Sequence, residues 1–133
     1  MDISSIIIDC NDEIIFEFMS DIKNINSWSF GIKWDIINSN NKIIKGVSNY
    51  NKSISYLKII KNHTIKKIDY WIGDDDKNLI PRIYVRVESL NNTKSKLSMV
   101  SFQTDDMDSD RWDKLIELHK LELLKIKELL SKK

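Results

Sequence analysis

A chain of 133 residues with 41% hydrophobic and 31% charged side chains is long enough to bury a core and has the make-up of an ordinary globular protein, not of a disordered tail. Its 21 basic and 20 acidic residues give a formal net charge of +1, so nothing favours nucleic acid as a partner. No apolar run approaches bilayer-spanning length, and stable membrane insertion is not expected.

SSIIID (4–9) is a β-branched run that reads as a strand. Asn11 then offers a helix cap, with Asp12 and Glu13 placed to favour the first turn. Ile14, Ile15, Phe18 and Met19 fall at helical spacing behind it and predict one apolar face. A second short turn, DIKNIN (21–26), leads to Trp28, a large aromatic set between serines. From Gly31 to Thr104 the texture becomes β-rich: IKWDII, KIIKGVSNY, SISYLKII, TIKKIDYWIG, RIYVRVES and KLSMVSFQT are each of strand length. NSNN, an Asn/Ser step, NH, DDDKNLIP and NNTKS separate them and supply turn residues. Ile83, Val85 and Val87 alternate with Tyr84, Arg86 and Glu88, giving that strand two faces. Six strands joined by short connections predict an antiparallel meander.

DSDRWDKLIELHKLELLKIKELLSKK closes the chain as its strongest helix. Asp108, Ser109 or Asp110 can cap it, and lysines favour its far end. Trp112, Leu115, Ile116, His119, Leu123, Ile126 and Leu130 form one stripe, expected to pack on the sheet. On that expectation Trp112→Ala costs about 3–5 kcal/mol, as for buried aromatics generally.

Chemistry-bearing patterns are sparse. The basic run KIIKNHTIKK (58–67) reads as the solvated face of a hairpin. Asp106, Asp108, Asp110 and Glu117 have the spacing of a calcium loop, but Arg111 stands where the loop glycine belongs, and aspartates at a helix start need no metal to explain them. DDD (74–76) reads as a turn ended by Pro81. No metal-type cysteine–histidine spacing, phosphate loop or nucleophile elbow occurs, so no metal, cofactor or catalytic set is expected. Cys10 is the single cysteine, which fits a reducing compartment, and ISSIII (3–8) is too short for a secretory core. A cytoplasmic protein with one domain over residues 1–133 is the expectation, either monomer or homodimer.

IIIDCNDEIIFEFMSDIKNINSW (6–28) follows a pattern of strand, capped helix ending in phenylalanine, aspartate and tryptophan. With Gly46 in KGV and RWDKLIELHKLELLKIKELL (111–130), this order of elements resembles the START/SRPBCC superfamily, and within it small proteins of the polyketide cyclase/dehydrase or lipid-transport type. The resemblance implies an α+β helix-grip fold: a bent antiparallel sheet of about seven strands wrapped around the long C-terminal helix, with two short helices after the first strand. It also implies a cavity between sheet and helix. Trp112, Ile116, His119 and Leu123 are the helix residues expected to line it. Ile83, Val85 and Val87 join them by alternation, as does Trp71, although both faces of its strand carry large apolar residues. Trp28 either lies at the mouth or end wall of the cavity or plugs the core. His119 either anchors a ligand's polar group, or serves as a general base, or is bonded to a backbone carbonyl. The expected function is to bind or carry a small apolar molecule of lipid, polyketide or aromatic type. A cyclase, dehydratase or hydrolase using the same cavity and a chaperone-activator-like interaction module are the alternatives.

Overall fold

The computed structural model describes residues 1–36 and 43–131. The predicted turn NSNN (38–41) lies outside the described residues, as do Ile37 and Lys42 at the ends of the flanking predicted strands.

Strand β1 (Asp2–Ile8) is followed by helix α1 (Asp12–Ser20), a single 3-10 turn at Ile22–Asn24 and the short helix α2 (Ile25–Trp28). Strands β2 (Ile32–Trp34), β3 (Ile43–Ser48), β4 (Ile54–Asn62), β5 (Lys67–Gly73), β6 (Ile80–Asn91) and β7 (Lys94–Ser101) come next, and helix α3 (Ser109–Leu130) ends the order. The seven strands form one curled antiparallel sheet in the order β1-β7-β6-β5-β4-β3-β2. The meander thus runs unbroken from β2 to β7, and β1 closes its far side against β7. This is the expected α+β helix-grip arrangement.

The helix starts are set by short side chains. Asn11 caps α1 by accepting the Glu13 N–H at 2.8 Å, and Asp108 caps α3 by accepting that of Arg111 at 2.8 Å. The buried face of α1 is Ile15, Phe16 and Met19, while Ile14 is exposed. The expected face is therefore turned by about one residue, because spacings of one, three and four place Phe16 rather than Ile14 against β5, β6 and β7. On β7 the inward positions Ser95, Leu97, Met99 and Ser101 are all buried, as a period of two requires. With Ile8, Leu57, Ile68, Tyr70, Val85 and Ile126 they build the core.

DDDKNLIP is a shorter turn than expected, since β6 already starts at Ile80. Pro81 sits inside the strand opposite Trp71, where the register shifts between Tyr70 and Trp71 and passes over Arg82. A residue without an N–H is tolerated at such a break in the ladder.

Gly46 has a packing reason. It pairs with Trp34 across β2 and β3, and a Cβ there would lie 2.5 Å from Trp34 Cε3 and 2.6 Å from Ile32 Cγ2. The indole thus occupies the space that a side chain at position 46 would need. Gly46→Ala is expected to cost roughly 1–3 kcal/mol through overpacking. An unchanged denaturant midpoint would contradict that placement of the ring.

Candidate functional site

Between the concave face of the sheet and α3 lies a cavity of about 820 Å³. Its sheet wall includes Leu57, Tyr70, Ile72 and Ile83, and its end wall is made by Ile25, Trp28, Ile32 and Trp34. The helix wall is Arg111, Leu115, Leu118, His119 and Glu122, a stripe at spacings of three and four. Tyr50, Asn51 and Lys114 are exposed and stand at the opening.

The end wall is tied down by amide side chains. Asn26 donates to the Trp34 carbonyl at 2.7 Å and accepts the Trp34 N–H at 2.9 Å, so one side chain pins β2 to α2 as a strand would. Asn49 donates to the Phe30 carbonyl at 2.7 Å, and Glu122 accepts the Phe30 N–H at 3.1 Å from across the cavity. These bonds hold the backbone between the two tryptophans in place. Trp28 ends α2, is 3% exposed and meets Tyr70 edge to face with ring centroids 5.9 Å apart. The two roles weighed for it merge: a single ring is both buried in the core and part of the cavity lining. Tyr70 donates to the Met19 carbonyl at 2.6 Å, and burial, with nearby Glu122, pushes its hydroxyl pKa upward.

His119 and Glu122 are the buried ionisable residues of the helix wall. His119 is 1% exposed, and its Nδ1 stands 3.2 Å from the Ser101 hydroxyl, so its partner is a side chain and not the backbone carbonyl considered from sequence. Loss of water holds its pKa down at about 4, against the pull of Asp2, and the ring is neutral at pH 7. Ser101 is itself 1% exposed and does not line the cavity, so it orients the imidazole from behind the cavity wall. Glu122 is 4% exposed. Burial raises its carboxyl to about 7, only partly offset by the Phe30 N–H and the Ser29 side chain.

Of the residues nominated from sequence, Trp28, Ile83 and His119 come together on the cavity surface. Val85, Val87 and Leu123 are buried in the core without lining it. Trp112 and Ile116 are half-buried on a face of α3 turned away from the cavity lining. Trp71 lies on the opposite side of the sheet from Tyr70, its indole N–H buried without a hydrogen-bond partner among the described residues. Trp34 and Glu122 were not anticipated. Glu122 follows His119 by three positions, which places both on one helix face, and that spacing was the available signal. Trp34 becomes visible only through its register with Gly46.

Asp106 is bonded to the Thr104 hydroxyl and faces Arg111 at 3.7 Å, while Asp108 serves as the α3 cap. Asp110 pairs with Lys114 at 3.0 Å, so the three aspartates of the calcium-like spacing each have a protein partner. Among the described residues, Glu13, Glu17 and His63 stand close enough to share a metal ion, but all three are exposed, and Glu13 already bonds His63 and pairs with Lys66 at 2.8 Å.

No family model and no curated protein matches the sequence. Solved structures do match the fold. A START superfamily protein from Mycobacterium smegmatis superposes with a TM-score of 0.68 at 11% identity, over 98% of this chain and 97% of its own. This chain shares the helix-grip fold with that protein. The Zhui aromatase/cyclase from a Streptomyces species gives 0.69 at 9% identity, over 98% and 93% of the two chains. The Aha1 dimer from Colwellia psychrerythraea gives 0.66 at 15% identity, over 97% and 94%. At such identities the likeness extends to the helix-grip architecture and no further. No helix among the described residues is long and apolar enough to cross a membrane.

Proposed function

We propose that the protein binds a small apolar molecule in the helix-grip cavity. The observation that carries this reading is the lining: Trp28, Trp34, Leu57, Tyr70, Ile72 and Ile83 present a largely apolar surface around about 820 Å³, within the size range of ligand sites. Its charged groups stand together on α3 and at the Asp108 cap, while the polar groups elsewhere are uncharged, among them Ser29, Ser48, Asn51, Ser53 and Ser55. Apolar contact supplies affinity in such a site, while the isolated polar groups fix orientation. The partner on this reading is a small apolar molecule. The START superfamily protein and the aromatase/cyclase share this architecture, which supports the reading by analogy.

Diphenylhexatriene, whose fluorescence rises in dry surroundings, tests it. One probe per protein is expected, with binding lost in Ser55→Trp, because Ser55 lines the cavity from β4 and an indole there fills it. Equal binding by the wild type and by a folded Ser55→Trp variant would place the probe elsewhere and reject the proposal.

A second reading, acid–base chemistry on the bound molecule, is favoured by one observation: Glu122, with its carboxyl at about 7, faces the cavity beside His119. A cyclase- or dehydratase-type enzyme would lose turnover in Glu122→Gln while keeping its ligand. Unchanged turnover of a bound substrate in that variant would remove this reading.

A further inference from the structure

The charges around the cavity favour one sign of ligand. Arg111 and Lys114 are the cationic residues among its described lining, and each already faces a carboxylate: Arg111 faces Asp106 at 3.7 Å, and Lys114 faces Asp110 at 3.0 Å. Against these two stand four acidic lining residues, Asp108, Asp110, Glu117 and Glu122. The first three are exposed towards the rim, where Asp108 caps α3 and Asp110 is already the partner of Lys114. Glu122 differs, because it is 4% exposed and sits on the cavity wall. An ionised carboxylate has about four acceptor positions, and the Phe30 N–H and the Ser29 side chain use two of them. The remaining capacity faces a space whose other walls carry Trp28, Trp34 and Tyr70, all buried. Aromatic faces attract a cation, the more strongly when water is excluded, and a buried carboxylate completes the preference. A ligand carboxylate entering the same space would meet Glu122 with no buried cation to receive it.

We propose that the ligand is an amine: an aromatic or otherwise apolar body bearing a basic nitrogen that docks on the Glu122 carboxylate among Trp28, Trp34 and Tyr70. This inference rests on the reading of the cavity as a binding site. Within that reading the nitrogen sets orientation, and the hydrocarbon body fills the space towards Leu57 and Ile83.

Three probes of one shape test it by calorimetry at neutral pH: naphthylethylamine, naphthylethanol and naphthylacetate. The amine is expected to bind the wild type roughly tenfold or more tighter than the alcohol, with the acetate weakest, as a desolvated charge-assisted hydrogen bond would give. In Glu122→Gln the amine's advantage is expected to fall to about threefold or less. The wild-type comparison stands whether or not that variant folds, which a thermal melt establishes. An alcohol that binds as tightly as the amine, or an acetate that binds tightest, overturns the amine inference and leaves the cavity reading intact. A preference for the amine that survives in folded Glu122→Gln overturns the assignment to Glu122. Failure of all three probes to bind rejects the cavity reading and the inference with it.

Discussion

Trp28→Ala is expected to lower the free energy of unfolding by about 3–5 kcal/mol, the range for deleting a fully buried large aromatic. Its indole is 3% exposed and closes the end of the cavity against Tyr70. Removal sacrifices the buried area and the edge-to-face contact, and it joins the space left behind to a cavity already present, which gives the surroundings little to collapse onto. Urea titration checks the value. Trp112→Ala is the informative comparison, because the structure leaves that residue half-buried and so withdraws the reason for expecting a full core penalty there. It should cost less than half as much as Trp28→Ala. A ranking in the other order would show that the α3 stripe, not the end wall, carries the packing.

Glu122→Gln is expected to stabilise the protein above neutral pH by about 3 kcal/mol, because it removes a carboxyl that burial holds at about 7 against an ordinary 4.5. The sign follows from proton counting. Between those two values the folded protein keeps a proton that the unfolded chain has released. This group's contribution is therefore fully present below about 4.5, is lost as pH rises through about 7, and stays lost above it. Glutamine can still accept the Phe30 N–H, so the advantage of the variant should fade towards zero below about pH 4.5. His119 acts in the opposite sense. Its pKa is depressed from 6.5 to about 4, so its contribution is present above 6.5 and is lost as pH falls towards 4. From about pH 4.5 to 6.5 the two slopes oppose each other, and the wild type conceals both. Stability measured against pH in Glu122→Gln, minus that of the wild type, isolates the carboxyl from every other titrating group. A difference curve that is flat with pH would mean that Glu122 is solvated and ionised like a surface residue.

The order of elements was legible in the sequence for reasons that are local. Turn residues recur between β-rich runs, Asn11 and Asp108 sit where caps are needed, and the α3 stripe has a helical period sustained over many turns. Alternation on β6 likewise separated Ile83, Val85 and Val87 from the outer face correctly, since the last two are buried. What alternation does not contain is position along the strand: Ile83 reaches the cavity, whereas Val85 and Val87 lie deeper in the core. That distinction depends on where α1 and α3 sit over the sheet, which is tertiary information. The same holds for α3. The stripe defined by hydrophobicity runs through Trp112, Leu115, Ile116, His119 and Leu123, but the cavity meets its edge: Leu115 and His119 belong to the stripe, whereas Arg111, Leu118 and Glu122 lie beside it. A charged residue is left out of an apolar stripe by construction, so Glu122 stayed hidden although its three-residue step from His119 was in plain view. Trp71 shows the converse limit. In a strand with large residues on both faces, the register shift beside Tyr70 decides which ring faces inward, and that shift is set by pairing with Pro81 and Ile83 on β6.

The four tryptophans divide evenly between cavity and elsewhere, and this makes the central claim directly measurable. In a heteronuclear NMR spectrum of isotope-labelled protein, the indole N–H signals report each ring separately. On addition of naphthylethanol, a neutral probe, the signals of Trp28 and Trp34 should move in step to saturation while those of Trp71 and Trp112 stay in place. Movement of Trp71 or Trp112 with Trp28 and Trp34 unaffected would put the binding surface outside the helix-grip cavity and contradict the account.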